Sequence, residues 1–185
     1  MHRFMVGADG LENVPHREWL RIFERVLNEV KIEMKERGRD GDFVGAKVRV
    51  FLDGYRSAGP TPPQVIYCTL RFYTAEELEW YTEDCIALKK EFPHLIAGVY
   101  HVLTHSSLFS TVCIASGFDL VGDENVYKPL IEYLEPLQRF RRRQQEEGVE
   151  IPFLFHAGET LGDGTAADEN LYDAILLGTK RIGHG

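Results

Sequence analysis

The sequence predicts an α/β fold in which helices join parallel strands. Strand-like and helix-like segments alternate from residue 65 onward, an order typical of parallel strands with helical crossovers. Polar clusters follow several apolar runs, as expected where a ligand binds at the carboxyl ends of parallel strands. With 185 residues, 44% of them hydrophobic, the chain can bury a core, so we expect one domain or a piece of a larger one.

Four segments have the pattern of helices. In the first, apolar residues recur three and four positions apart up to Gly38, which suits a helix end. Thr74 and Glu77 form a capping-box pattern at the start of the second. Pro136 is expected to kink or split the third, and Asp168 is expected to cap the fourth. The predicted helices cover residues 15–37, 74–92, 127–140 and 168–176.

The strand signals are shorter and lie between these helices. Residues 65–70 and 151–155 are apolar runs of strand length, and the second is expected to stop at His156. Residues 117–121 predict another strand, and a further one begins at residue 180. Residues 48–52 also alternate like a strand, before a loop rich in Gly and Pro.

Composition excludes several classes of protein. The net charge is −8, and non-specific nucleic-acid binding needs a basic surface, so we expect no nucleic-acid partner. The arginines at residues 141–143 are interpreted as a solvated helix face. No apolar run reaches the length of a membrane span, and we expect no membrane partner. The three cysteines lack the spacing of a disulfide framework or a cysteine zinc site.

Three residues at predicted strand ends can form a chemical site. His156 and Glu159 follow a buried strand, with two small residues between them, and His184 has glycine on both sides. Imidazole is a preferred zinc ligand, and a nearby carboxyl can carry a proton. These residues alone leave two interpretations open, which are a metal-assisted hydrolase and polar strand ends that only bind loops.

The motifs around these residues resemble a known family. The segments GFDLVGDE at 117–124, FHAGET at 155–160 and TKRIGHG at 179–185 occur in the order found in the adenosine deaminase family. The threonine after HAGE and the GFDLVG form are most similar to the adenosine deaminase-related growth factor branch. Weaker similarity extends back to about residue 42.

The resemblance implies a role for each residue at a matching position. His156 would be a ligand of one Zn²⁺, and Glu159 would give its proton to purine N1. His184 would orient or deprotonate the zinc-bound water, and the backbone of Gly122 would approach the substrate base. The implied reaction is hydrolysis of adenosine or 2′-deoxyadenosine to the inosine form plus ammonia, with a purine nucleoside as the small-molecule partner.

The resemblance also implies an incomplete enzyme. It predicts a partial TIM (β/α)8 barrel of the metal-dependent hydrolase type, covering roughly the third to sixth strands. A closed barrel needs roughly 250 residues. The family's His-x-His pair and its paired aspartates are absent from the sequence, so we expect no turnover by this chain. Alternatives are a catalytically dead binding or growth-factor-like fragment, and a sister metal hydrolase acting on another aminopurine.

Two segments interrupt the similarity inside the single predicted domain, residues 1–185. Without residues 48–64, the flanking sequences join into a segment that resembles the family's third strand. Without residues 99–116, residues 95–98 join the strand at Phe118, again as in the family. We interpret both segments as translated introns, and ordinary loop insertions are the alternative. His101 and His105 lie in the second segment, and their spacing of four is interpreted as chance.

The resemblance extends to location and assembly. The branch is typically extracellular, whereas the start of the chain lacks the apolar core of a signal peptide, which leaves a cytoplasmic location open. A homodimer is compatible with the resemblance. Asp119 is expected to hold the Gly122 loop, and contact with the substrate is the alternative.

Overall fold

A computed structural model of the protein describes residues 15–39, 65–96, 100–102, 111–113, 117–160 and 164–185. The chain divides into two compact units, one of residues 5–64 and one formed mainly by residues 65–185. In the first unit the described part is helix α1, His16–Glu36. It ends before Gly38, whose φ of +65° is the left-handed conformation common after helices, so the predicted helix and its end are confirmed.

The second unit contains parallel strands that follow one another in space as they do in sequence. Strand β1, Tyr67–Leu70, pairs in parallel with Phe118–Val121, which is β4. An isolated parallel bridge from Phe118 to Phe153 continues the arrangement toward β5, His156–Ala157. Strand β5 in turn pairs in parallel with β6, Gly183–His184. The predicted α/β class is confirmed.

One helix lies between each strand of this series and the next. Helix α2 is Ala75–Glu91, α3 is Leu134–Glu147 and α4 is Ala166–Leu176. Thr74 and Glu77 form the predicted capping box of α2. Pro136 lies in the first turn of α3, after a 3-10 turn at Leu130–Tyr133, so the predicted split falls here.

Several boundaries differ from the sequence prediction. The third helix, predicted over 127–140, is α3 at Leu134–Glu147, and the strand predicted from residue 180 is β6 at Gly183–His184. The segment 151–155 is buried, but Phe153 makes only a single bridge, to Phe118, so this segment is not a regular strand. The hydrogen-bonded strand comes later, at His156–Ala157. The cap of α4 is Thr165, and Asp168 is its capping-box partner three residues on. Asp168 therefore supports the helix start from inside the helix.

Aromatic and aliphatic side chains fill the space between the strands and the helices. Phe118, Phe140 and Phe155 are completely buried, and the rings of Phe118 and Phe140 meet edge to face at 5.0 Å. From α2, Leu78 and Leu88 are also completely buried. This core fixes β4 and β5 against their helices and so fixes the positions where both strands end.

The two interrupting segments lie largely outside the described residues. Nothing of residues 48–64 is described. Within 99–116, strands β2, Tyr100–Val102, and β3, Thr111–Cys113, pair with each other in antiparallel fashion. In the described part of the chain, no helix is both long and apolar enough to cross a membrane.

Candidate functional site

His156 begins β5, and Asp119, the second residue of β4, holds it. Its ring Nδ1 lies 2.5 Å from Asp119 Oδ2, and its backbone N–H donates to Asp119 Oδ1 at 2.9 Å. Because a carboxylate accepts hydrogen bonds, the Nδ1 proton is the one donated, and Nε2 remains available to a ligand. This hydrogen bond to Asp119 raises the pKa of His156.

Glu159 and His184 meet beside this ring. His184 Nε2 lies 3.5 Å from Glu159 Oε2, and the His156 and His184 ring centroids are 5.4 Å apart. The side chains of His184 and Glu159 are 46% and 53% exposed, whereas that of His156 is 15% exposed. The structure thus brings the three predicted residues together at the carboxyl ends of two neighbouring strands.

Small residues make this close arrangement possible. A Cβ atom on Gly183 would lie 3.1 Å from the ring of His156. At Gly158, φ is +83°, and a Cβ atom there would lie 3.3 Å from the backbone of Gly185. Larger residues at these positions would push the two strand ends apart.

The predicted substrate-contact residue, Gly122, lies at the end of β4. Its φ of +138° favours glycine, and a Cβ atom would lie 2.8 Å from the ring of Tyr127. The same atom would lie 3.9 Å from the backbone nitrogen of Arg71. The backbone at Gly122 is therefore held in a tight turn at the end of a parallel strand.

Two buried charged residues beneath the site were not singled out from the sequence. The side chains of Arg71 and Glu124 are fully buried, with Arg71 Nη1 3.7 Å from Glu124 Oε2. Arg71 Nε donates to the Leu120 carbonyl at 3.2 Å, and Nη2 donates to the carbonyl of His156. One available signal was an arginine placed directly after an apolar strand, where burial requires a charged partner.

Asp119 has a different partner from the one expected. Asp119 was predicted to hold the Gly122 loop, but both of its carboxylate oxygens bind His156 instead. Asp119 is only 1% exposed. The pairing joins residues 37 positions apart, and it depends on β4 lying beside the segment that leads into β5. No local sequence pattern carries that information.

The residues fit part of a zinc site. Zinc-binding histidines typically donate their second ring N–H to a carboxylate, as His156 does to Asp119. Among the residues that the structure describes, no group of three His, Cys, Asp or Glu side chains is arranged to hold a metal ion. The described part of the chain therefore offers one position for a zinc ligand and does not complete a site.

Comparisons with known proteins identify the family. The chain is 30% identical to adenosine deaminase 2-A of Danio rerio over 163 residues, which are 87% of this chain and 28% of that protein. It is 33% identical to adenosine deaminase 2 of Sus scrofa over 143 residues, 75% of this chain and 24% of that protein. The chain belongs to the adenosine deaminase family.

Some adenosine deaminase relatives match a shorter segment of the chain at a higher sequence identity. One from Lutzomyia longipalpis is 50% identical over 70 residues, 38% of this chain and 12% of that protein. No family model matches the chain. The chain thus spans less than a third of the curated relatives described here, and the predicted family is confirmed.

Proposed function

We propose that this chain is part of a zinc-dependent adenosine deaminase. The reaction adds water to adenosine or 2′-deoxyadenosine and releases ammonia, leaving inosine or 2′-deoxyinosine. The observation that carries the proposal is the meeting of His156, Glu159 and His184 at the ends of adjacent parallel strands. The names of the relatives support adenosine as the substrate class.

We also propose that the strands form an arc of a TIM-type barrel, roughly its third to sixth strands. Two observations support this. Each strand of the series lies parallel to the preceding one, and one helix separates each from the next. An open doubly wound sheet reverses its strand order, whereas a barrel keeps the order of the sequence.

In this proposal His156 is a zinc ligand through Nε2. When bound, zinc lowers the pKa of a coordinated water from 15.7 to about 7. Asp119 holds the His156 ring in the tautomer that leaves Nε2 without a proton. The described residues do not complete the zinc site.

Glu159 is the proposed proton donor to purine N1, and Gly122 is proposed to approach the base with its backbone. A carboxyl keeps its proton near neutral pH only where burial or nearby negative charge raises its pKa. The Glu159 side chain is 53% exposed among the described residues, so this role requires covering by substrate or by further protein. His184, 3.5 Å away, is proposed to orient or deprotonate the attacking water.

The chain by itself is proposed to be inactive. Glu159 and His184 are about half exposed, and the residues that the structure describes offer one zinc ligand position, so they do not assemble the reacting groups in a dry pocket. We expect no ammonia release from adenosine by the purified 185-residue chain. Detectable turnover by the chain alone would contradict this part of the proposal.

The experiment that tests the function uses the gene. We would read the genomic sequence on both sides for a His-x-His pair upstream and paired aspartates downstream, and express the longer product. Ammonia release from adenosine, zinc content, and a loss of about 10²–10⁴-fold in kcat in the E159Q variant are expected. The E169Q variant is the control, because Glu169 is exposed on α4.

Other outcomes of this experiment identify the alternatives. A longer product that binds zinc but releases no ammonia from adenosine would be a sister hydrolase that acts on another aminopurine. One that binds purine nucleosides without turnover would be a binding or growth-factor-like protein. Expression with the native upstream sequence also tests the proposed extracellular location, by secretion, and sedimentation tests a homodimer.

A further inference from the structure

The carboxylate of Glu124 occupies a backbone nest below the candidate proton donor. The N–H of Gly158 donates to Glu124 Oε2 at 3.2 Å, and the N–H of Glu159 donates to Oε1 at 3.3 Å. Two successive N–H groups turned to one side form a concave anion site, and the left-handed backbone at Gly158 produces that turn. Glu124 is thus the internal anion of this nest.

Arg71 supplies the opposite charge and contacts the other end of the same loop. Its Nη1 lies 3.7 Å from Glu124 Oε2, and its Nη2 donates to the carbonyl of His156. Both side chains are fully buried. The ion pair therefore holds the backbone at His156 and at Glu159 together, in a region where water does not compete.

Asn170 fixes Glu124 from the opposite direction. Asn170 Nδ2 donates to Glu124 Oε2 at 2.9 Å, and its Oδ1 accepts from the N–H of Leu130 at 2.8 Å. Glu124 is therefore tied to α4 and, through Asn170, to the turn before α3. A movement of the loop would break hydrogen bonds to a carboxylate that is itself fixed.

We propose that Glu124 is a positioning residue, which sets the backbone at Glu159 and so directs the Glu159 carboxyl toward His184. The inference rests on the proposed function, in which Glu159 gives a proton to the purine. The held nitrogen of Glu159 is bonded directly to its Cα atom, so fixing this N–H restricts where the carboxyl reaches. In this role Glu124 acts through the backbone of Glu159, to which it is hydrogen-bonded.

The test compares amide hydrogen exchange in the labelled 185-residue chain and in its E124Q variant. A glutamine has one acceptor oxygen and no charge, so it serves the two N–H groups poorly. We expect exchange at Gly158 and Glu159 to become about 10- to 100-fold faster relative to Phe92, an amide bonded to Leu88 in α2. A purely global loss of stability would instead speed all protected amides alike.

A spectroscopic readout follows the carboxyl itself. Because the Glu159 carboxyl lies beside His184, the ring signals of His184 should shift in an E159Q variant. We expect E124Q to move these signals in the same direction, because the carboxyl is no longer directed at the ring. Unchanged His184 signals in E124Q would overturn the positioning role even if the loop amides exchange faster.

The matched control is E83Q. Glu83 forms an ion pair with Arg143 at 2.9 Å on the surface. Like E124Q, E83Q replaces a glutamate that is paired with an arginine distant in the sequence, but here the pair is exposed. It should leave the exchange ratio of Gly158 to Phe92 and the His184 signals unchanged. The same ratio change in E83Q, or none in E124Q, would overturn the proposal.

A second measurement needs no variant and covers the case in which E124Q does not fold. Scalar couplings across the hydrogen bonds should connect the Gly158 and Glu159 nitrogens to the Glu124 side-chain carboxyl carbon. Their absence in the folded wild-type chain would overturn the proposal. None of these readouts uses a substrate. If they fail while E159Q still lowers deamination by the longer product, only the positioning role of Glu124 is refuted. If they succeed while the longer product does not deaminate adenosine, only the proposed function is refuted.

Discussion

The two histidines of the candidate site are held in contrasting ways. His156 is bound through its ring and its backbone N–H by buried Asp119, and through its carbonyl by buried Arg71. His184 is 46% exposed and has a φ of +76°, a conformation that a flanking glycine on each side helps to accommodate. Buried charges therefore orient the first ring, whereas the backbone of a short strand presents the second.

The largest effect should come from removing the charge that supports His156. In R71M, Glu124 would keep a buried charge without its partner, and the carbonyl of His156 would lose its donor. We expect the free energy of unfolding to fall by about 3–5 kcal/mol, measured by urea denaturation.

The control for this change is R143M. Arg143 makes ion pairs with Glu83, Glu146 and Glu147 on the surface, where water and salt screen the charges. Its loss should be far smaller than that of R71M. Equal losses in the two variants would show that burial does not distinguish these arginines.

A smaller loss is expected in D119N. The amide keeps the shape of the carboxylate, but it presents a donor where the His156 ring donates, so the ring proton should move from Nδ1 to Nε2. We expect a loss of about 1.5–3 kcal/mol in unfolding free energy and a changed pattern of His156 nitrogen shifts in NMR spectra. An unchanged tautomer would contradict the proposed role of Asp119.

The same pair predicts a dependence on pH, measured with a chelator present to remove metal. Because the pKa of His156 is raised in the folded chain above its ordinary value of 6.5, its pairing with Asp119 contributes fully below pH 6.5. That contribution is lost as pH rises through the raised value. The stability difference between wild type and D119N should therefore shrink between acidic and mildly alkaline pH, and a growing difference would refute it.

Crowding between the two strand ends gives a third test. In G183A the added methyl would lie 3.1 Å from the ring of His156, which must shift by a few tenths of an ångström. We expect a loss on the order of 1 kcal/mol and displaced ring signals of His156. In G148A, where a Cβ atom has open space around it, the His156 signals should not move.

The smallest effect is expected for H184A. The side chain is nearly half exposed and its contact is with a carboxylate that is also exposed, so unfolding free energy should change by no more than about 0.5 kcal/mol. H156A, which removes the ring donor from Oδ2 of buried Asp119 and leaves only the backbone N–H on Oδ1, should cost several times more. Similar losses in both would remove the contrast between the two rings.

What could be predicted from the sequence depends on how far apart the interacting residues are. The capping box at Thr74 and Glu77 and the end of α1 at Gly38 are local signals, and both are confirmed. The pairing of Arg71 with Glu124 depends on the register that places Leu70 beside Val121. Such a register follows from tertiary packing, which a single sequence does not encode locally.

The site itself was predicted in its residues and not in its supports. The motifs led to His156, Glu159 and His184 because each follows a strand-like run, and parallel strands bring such ends together. Their partners Asp119 and Arg71 lie on or just after neighbouring strands, where buried charge is visible only once the core is known. The roles of the three residues in catalysis remain predictions.

The shared carboxylate of Glu124 has a consequence for protein engineering. Its oxygens accept hydrogen bonds from the backbone at residues 158–159, and its ion pair with Arg71 links it to the end of β1. Consider a chimera that takes the segment 155–160 from a homologue but keeps the host's residues at 71 and 124. Its new loop would have to form its hydrogen bonds with side chains from a different protein. Segments 67–71, 117–124 and 155–160 should therefore be exchanged as one cassette.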